Sequence, residues 1–240
     1  MIQCDLASGT CQIPGPAAPT AQRGSTNVAL AVHYIGDPMC SWCWGISSPV
    51  HALAEYCESE GIPFVLTMGG LRAGGGDPWN DRFKDFLRNE WRHIGHATGQ
   101  PFSFKLLDTP HFDYDTEPAC RAIAAVQLLT TSEAFRGVRL LGFFSSMQQK
   151  FYVDGEDPKQ PAFYDSICIS HGINPEEFRK IFASAEAARA VQADFQTCRA
   201  WGVRSFPTLL IEREGALATL ASGYVTAEHL IGRIQMAKAL

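Results

Sequence analysis

The sequence predicts an α/β domain with a mixed sheet of four to five strands and a large all-helical insertion in its middle. Three observations support this prediction. A compact apolar run over 27–35 is typical of a strand buried on both faces. A helix and a second strand follow it and complete a β-α-β unit by Met68. From Gly69 to about Ala185, helical spacing then replaces the strand pattern almost throughout.

The β-α-β unit forms the first half of the predicted sheet domain. The strand over 27–35 ends at the turn residues Gly36 and Pro38. A helical pattern runs over 40–59, and the next strand follows over 62–68. Two strands joined in this way are expected to be parallel, with a right-handed crossover.

The insertion over 73–185 is predicted to be helical. Pro118 and Pro175 stand where the first turn of a helix tolerates a proline, and Asn174 is a favourable N-cap. The predicted helices span 80–98, 117–130, 132–151, 162–171 and 175–184. We therefore treat this segment as an inserted helical domain.

The sheet domain resumes after the insertion. Its remaining predicted elements are a helix over 185–201, strands over 207–212 and 217–222, and a helix over 226–238. Gly202 ends the first of these helices and Thr226 caps the last. The order β-α-β, helices, α-β-β-α is that of a thioredoxin fold, so residues 27–72 and 186–240 form the predicted thioredoxin-fold domain.

The composition argues against several classes of protein. The chain has 240 residues, of which 46% are hydrophobic and 19% charged, which is usual for a globular protein with a sizeable core. The net charge of −5 is spread along the chain without a basic stripe, so we expect no nucleic-acid partner. No apolar run reaches the roughly 18 residues that a membrane span requires, so we expect no membrane association. These features indicate no particular oligomeric state.

The N-terminal segment 1–26 is predicted to be a mobile tail, because it is rich in Ala, Pro, Gly, Ser and Thr. It lacks the positive and apolar regions of a secretory signal, so we expect a cytoplasmic protein. Its two cysteines, Cys4 and Cys11, have two interpretations: an accessory redox pair that passes disulfides to Cys40, or two exposed thiols in a flexible segment. We favour the second, because disordered tails usually hold no fixed geometry.

The motif Cys40-Ser41-Trp42-Cys43 carries the predicted chemistry. It follows a buried strand and opens a helix, where backbone N–H groups without intrahelical partners stabilise a thiolate. Cys40 is therefore the predicted nucleophile. Cys43 lies one turn later and is expected to be more buried, which suits the thiol that resolves a mixed disulfide. Trp42 is expected to be exposed and to contact substrate, whereas Trp44 is assigned to the core.

A zinc half-site is the alternative interpretation of the paired cysteines. Zinc requires about four ligands, and no second such pair follows at a suitable spacing. Two further pairs, Cys168 with His171 and His93 with His96, each offer only two ligands. We therefore predict no metal and no bound cofactor, with glutathione or another thiol as the redox partner.

Arg204-Ser205-Phe206-Pro207 opens the strand after Gly202 and is the second candidate segment. A proline at a strand start can be a permitted edge feature. In a thioredoxin fold the same proline follows a cis peptide bond that faces the paired cysteines and leaves the preceding backbone open to a bound peptide. We favour this interpretation and predict that Ser205, Phe206 and Pro207 bind substrate together with Trp42.

Over residues 28–238 the chain resembles the DsbA-like thioredoxin-fold family, and within it the FrnE-like branch of predicted protein-disulfide isomerases. The resemblance rests on two motifs, Tyr34-Ile35-x-Asp37-Pro38-x-Cys40-x-Trp42-Cys43-x-Gly45 and Gly202-Val203-x-x-Phe206-Pro207-Thr208. It implies that Cys40 is the nucleophile, Cys43 the resolving thiol and Pro207 the cis-proline. It also implies that the helical insertion forms one wall of the substrate groove.

The predicted function is that of a protein-disulfide oxidoreductase or isomerase acting on protein or small-molecule disulfides and thiols through a mixed disulfide. Two alternatives stay open: a glutathione-dependent isomerase or transferase of the same fold, and a peptide-binding holdase. The remaining candidate groups are assigned to structural roles. Cys120 is expected to pack in the core, Cys198 to be buried and inert, and His33 to be buried and hydrogen-bonded.

Overall fold

From β3 to the last helix, the order of strands and helical segments follows the sequence prediction. The computed structural model of the chain describes residues 3–13, 30–130 and 136–238. The strands are β1 (Gln3–Asp5), β2 (Thr10–Gln12), β3 (Leu30–Gly36), β4 (Phe64–Met68), β5 (Ser205–Phe206), β6 (Thr208–Arg213) and β7 (Ala216–Ser222). The α-helices are α1 (Ser41–Gly45), α2 (Ser47–Ser59), α3 (Asp81–Thr98), α4 (Glu117–Leu129), α5 (Val138–Gln149), α6 (Asp165–Ser170), α7 (Pro175–Phe182), α8 (Ala185–Ala200) and α9 (Ala227–Lys238). The predicted tail at 14–26, the strand start at 27–29 and the helix start at 132–135 lie outside the described residues.

A mixed four-stranded sheet in the order β4-β3-β6-β7 confirms the predicted fold class. β3 is parallel to β4 and antiparallel to β6, which in turn pairs antiparallel with β7. The parallel pair β3 and β4 is the β-α-β unit expected from the sequence. Val32, Tyr34 and Ile35 of the central strand are almost fully buried, because helices cover both faces of a sheet of this kind.

The described segment between β4 and α8 is helical, as predicted. Asn80 and Asn174 cap their helices: the Asn80 side chain accepts the N–H of Phe83, and that of Asn174 accepts two N–H groups of the first turn of α7. The insertion and the sheet share one hydrophobic core. The residue boundaries of a separate inserted domain stay a prediction. Within the described ranges, no helix combines the length and apolar character that a membrane crossing requires.

The N-terminal residues 3–13 correct the prediction of a mobile tail. β1 and β2 form an antiparallel hairpin, and β2 pairs antiparallel with β5 to make a second, three-stranded sheet. A disulfide joins Cys4 to Cys11, which face each other across the hairpin. The composition of this segment suggested disorder. The strand that orders it, β5, lies near the other end of the chain, and local sequence patterns do not reveal a pairing between segments so far apart.

Candidate active site

The paired cysteines lie where β3 passes into the first helix. Cys40 has an extended backbone and is the N-cap residue of α1. Its carbonyl oxygen accepts the N–H of Trp44, so Cys43 stands within the first turn. The predicted continuous helix over 40–59 is in fact two helices, because the backbone leaves helical geometry at Ile46, between α1 and α2.

The structure brings the two candidate segments together. The Cys40 Sγ atom lies 3.7 Å from the carbonyl oxygen of Phe206. The Phe206–Pro207 peptide bond is cis. The Phe206 ring packs so closely on Gly69 that a Cβ there would stand 2.2 Å from the ring. Ser205 is half-buried, and its hydroxyl lies 3.1 Å from that of Ser222.

Trp42 is buried rather than exposed, which contradicts the expectation from sequence. Only 2% of its surface is accessible. Its indole packs edge-on against His93, with 6.1 Å between ring centroids, and the hairpin turn at Gly9 covers its other side. Trp44 lies in the core as predicted, and its indole N–H donates to the carbonyl oxygen of Pro101 at 2.9 Å. Both α3, through His93, and the N-terminal hairpin, through Gly9, therefore contribute to the burial of Trp42.

Asp37 is a buried carboxylate beneath the motif that the sequence analysis did not include among the site residues. One oxygen accepts the N–H of Met39 at 2.8 Å, and the other accepts that of Leu71 at 2.7 Å. Burial raises the pKa of Asp37 above its ordinary value, although these hydrogen bonds oppose the rise. Its position in the Asp-Pro turn that ends a buried strand is the sequence signal that could have identified it.

The environment of Cys43 keeps its thiol protonated. Burial raises the pKa of Cys43 well above its ordinary value, and hydrogen bonding and charge repulsion from Cys40 raise it further. The Tyr34 hydroxyl opposes this rise, and burial raises the pKa of that tyrosine as well. Tyr114, another buried tyrosine, donates from its hydroxyl to the carbonyl oxygen of Met39 at 2.9 Å and so braces the turn before the motif.

The other free cysteines are structural. Burial raises the pKa of Cys57, Cys168 and Cys198 to about 12 and that of Cys120 well above its usual range. The expectation that Cys120 and Cys198 are buried is confirmed. His33 is also buried and lies 2.8 Å from a carboxylate oxygen of Glu212, as expected.

Two predictions from the sequence concern ligands: that the chain holds no metal, and that glutathione or another thiol is its redox partner. In the part of the chain that the structure describes, no three His, Cys, Asp or Glu side chains gather as metal ligands. A cavity of about 500 Å³ opens beside the residues that precede β5. Arg72, Arg199 and Arg204 are among its lining residues, and Asp77 pairs with the first of these. This cavity borders β5 but does not include either sulfur of the paired cysteines.

Comparison with known proteins places this geometry in context. No family model matches the chain. A solved structure named as a "putative protein disulfide isomerase", from Nitrosomonas europaea, is 30% identical, has a TM-score of 0.75, and the match covers 88% of this chain and 98% of that one. The cytosolic disulfide reductase DsbM from Pseudomonas aeruginosa, solved also with GSH, is 24% identical, with a TM-score of 0.68 and coverage of 87% and 98%. By sequence, the ClpXP adapter protein SpxH from Halalkalibacterium halodurans is 23% identical over 230 residues, which are 90% of this chain and 70% of that protein.

The fold, the paired cysteines and these relatives define a thiol–disulfide oxidoreductase built on the thioredoxin fold. The chain belongs to the same family as the structure named as a "putative protein disulfide isomerase", and it shares the DsbA-like thioredoxin fold. The names of the relatives are compatible with the FrnE-like branch but do not include it, so assignment to that branch stays a prediction.

Proposed function

We propose that this protein exchanges disulfides with protein or small-molecule substrates, with Cys40 as nucleophile and Cys43 as resolving thiol. The contact of 3.7 Å between Cys40 Sγ and the Phe206 carbonyl oxygen carries the proposal. It puts the candidate nucleophile beside the backbone of β5, which pairs with β2 in this structure and would pair with an extended substrate peptide in its place.

The proposed reaction has two displacement steps. The Cys40 thiolate attacks one sulfur of the substrate disulfide, forms a mixed disulfide and releases the other substrate sulfur as a thiolate. Cys43 then gives up its proton to that leaving thiolate or to solvent and attacks Cys40 Sγ. This step releases the second substrate sulfur and leaves a Cys40–Cys43 disulfide, so the substrate gains the two electrons that the cysteine pair loses.

The raised pKa of Cys43 supports this order of events. A thiol that stays protonated does not compete with Cys40 for the substrate. Once Cys40 is tied up in a mixed disulfide, its negative charge is gone, so that the proton of Cys43 becomes easier to remove. The proposed resolving step is therefore favoured only after the first displacement.

Glutathione is the proposed redox partner, and the cytoplasm the proposed location. Arg199 and Arg204 beside the cavity next to β5 offer positive charge to the carboxylates of a small anionic thiol, whereas Arg72 is already paired with Asp77. DsbM, with a similar fold, is named as cytosolic and has been solved with GSH. These observations motivate the choice of glutathione as the first thiol to test.

The test is a glutathione redox titration of the purified protein, followed by a measurement of insulin reduction with glutathione as the reductant. We expect the Cys40–Cys43 pair to change between dithiol and disulfide with the glutathione ratio, and insulin to be reduced faster than without protein. Cys40→Ser is expected to return the rate to that of glutathione alone. Cys57→Ala is the matched control, because it removes a buried thiol remote from the motif. Equal rates for Cys40→Ser and the unaltered protein would refute the proposal.

A further inference from the structure

The N-terminal hairpin occupies the position that a substrate strand needs. β2 pairs with β5, with Cys11 opposite Phe206 and Gln12 opposite Ser205. The pairing continues beyond β2, where the N–H of Ile13 donates to the carbonyl oxygen of Arg204 at 2.8 Å. The chain thus supplies its own extended segment to the edge beside the cis peptide bond, which is where an added peptide strand would pair.

The hairpin turn fits closely over the motif. A Cβ at Gly9 would stand 3.3 Å from a ring carbon of Trp42 and 2.9 Å from the backbone nitrogen of Tyr224. On the surface against which the hairpin turn packs, a Cβ at Gly223 would stand 1.8 Å from the carbonyl oxygen of Ser8. The turn is also held internally, because Asp5 accepts hydrogen bonds from the N–H of Ala7 and the hydroxyl of Ser8. The hairpin is therefore a shaped cover and not an incidental contact.

The hairpin contains a disulfide that lies next to the candidate active site. Cys4 and Cys11 are cross-strand partners with their Cα atoms 4.0 Å apart, and a disulfide joins them. Cys11 is fully buried and lies directly opposite Phe206, the residue whose carbonyl oxygen touches Cys40 Sγ. In the same structure Cys40 and Cys43 are free thiols. An oxidised pair and a reduced pair therefore meet at one strand, β5.

We propose that the Cys4–Cys11 disulfide is an intramolecular substrate of the Cys40–Cys43 pair, and hence a second redox site of this chain. The proposal rests on the proposed function, since it requires Cys40 to act as a nucleophile. The N-terminal hairpin occupies the groove that an external protein disulfide must also enter. Exchange with the hairpin and exchange with an external disulfide therefore compete for the same position.

The exchange is balanced within the chain. Cys40 thiolate attacks Cys11 Sγ, so that a Cys40–Cys11 bond forms, the Cys4–Cys11 bond breaks and Cys4 leaves as a thiolate. Cys43 loses its proton and attacks Cys40 Sγ, which releases Cys11 as a thiolate and forms the Cys40–Cys43 disulfide. The two protons of the original dithiol end on Cys4 and Cys11. Two electrons pass from one pair to the other, and the reverse sequence returns them.

The intermediate can be trapped in the full-length chain. In the double variant Cys4→Ser/Cys43→Ser, Cys11 and Cys40 keep their sulfurs while the thiols that would resolve the intermediate are absent. On addition of glutathione disulfide, we expect a Cys40–Cys11 bond, identified by mass spectrometry of non-reduced peptides. Unchanged circular dichroism and melting temperature verify that the variant is folded. A folded variant with glutathione on either cysteine and no Cys40–Cys11 bond would overturn the proposal.

The matched control is Cys11→Ser/Cys43→Ser, which leaves Cys4 on the outer strand β1. Because only Cys11 lies opposite Phe206, we expect about tenfold less bond formation between Cys40 and Cys4, since disulfides require close and aligned Cα atoms. Equal yields in the two variants would indicate a freely moving segment and would also overturn the proposal.

Timed alkylation of the unaltered protein distinguishes a failure of this proposal from a failure of the proposed function. Timed alkylation should show electrons passing between the two pairs at a rate independent of protein concentration, as an intramolecular step requires. If Cys40–Cys43 equilibrates with glutathione while Cys4–Cys11 exchanges only through added thiol, the second redox site is refuted and the proposed function stands. If Cys40–Cys43 does not equilibrate with glutathione at all, the proposed function fails and this proposal fails with it.

Discussion

The carboxylate of Asp37 accepts the backbone N–H of Leu71 at 2.7 Å and so ties the turn before Cys40 to the loop after β4. Its other oxygen accepts the N–H of Met39. In Asp37→Ala both buried donors lose their acceptors. Because each unsatisfied buried donor costs about 1–3 kcal/mol, we expect the free energy of unfolding to fall by about 2–4 kcal/mol. Urea denaturation with an unchanged m-value measures this loss.

Two further variants check the cause of that loss. Asp37→Asn keeps one carbonyl acceptor in the same place, so we expect it to recover part of the stability. Asp108→Asn removes an exposed carboxylate and should leave the free energy of unfolding almost unchanged. Equal losses in Asp37→Ala and Asp37→Asn would show that the charge, and not the acceptor geometry, is what matters.

Asp194 gives the fold a defined pH dependence. It lies on α8, and its carboxylate accepts the N–H of Met68 at 3.0 Å. Burial raises the pKa of Asp194 to about 6. Because the folded chain binds this proton more tightly than the unfolded chain does, its contribution to stability is complete below about pH 4 and declines as the pH rises to about 6.

In Asp194→Asn that decline is absent. As the pH rises from 4 to 7, we expect the free energy of unfolding of the variant to increase relative to that of the unaltered protein by up to about 2 kcal/mol. Urea melts at a series of pH values measure the difference. The exposed Asp108→Asn variant should show no such trend, and a trend of opposite sign in Asp194→Asn would contradict the assignment.

Gly69 leaves room for the ring of Phe206, the residue whose carbonyl oxygen contacts Cys40 Sγ. A Cβ at Gly69 would stand 2.2 Å from the Phe206 ring, so Gly69→Ala must displace a fully buried side chain. Because Phe206 contacts Cys40 Sγ through its carbonyl oxygen, we expect insulin reduction to slow by about tenfold. Small misplacements of the groups around a reacting atom cause losses of this order. Gly232→Ala is the control, since a Cβ there meets nothing within 4 Å. Equal activity in the two variants would mean that the Phe206 contact is dispensable.

Gly223 holds the hairpin against the site. Its φ of +82° is in the left-handed region, and a Cβ there would collide with the carbonyl oxygen of Ser8. In Gly223→Ala we expect the hairpin to lift from the motif, so that iodoacetamide alkylates Cys40 about tenfold faster because local opening becomes more frequent. Mass spectrometry of the labelled peptide measures the rate.

Gly172→Ala is the matched control for backbone strain. Gly172 has a φ of +71° but open space around its Cα, so it imposes a similar conformational cost without touching the hairpin. The Cys40 alkylation rate should stay at that of the unaltered protein. Acceleration of the same size in both variants would attribute the effect to general destabilisation.

The local features of this protein were readable from sequence because their causes are local. The apolar run before Cys40 determines a buried strand, and the β-α-β order determines the parallel pair β3 and β4. The asparagine cap at Asn174 marked a helix start correctly, since capping depends on a side chain and the N–H groups two or three residues later. The spacing of Cys40 and Cys43 followed from one helical turn.

Only the tertiary structure decided what covers the site. Cys11 and Phe206 meet across a strand pair whose members come from opposite ends of the chain, and no short-range pattern encodes such a contact. For this reason the segment that composition described as a tail is a disulfide-linked hairpin, and Trp42 is buried. The sequence by itself identified Cys40 and Cys43 as the candidate redox pair. The long-range packing of β2 on β5 determined which groups they can reach, because access depends on surfaces that fold together from distant segments.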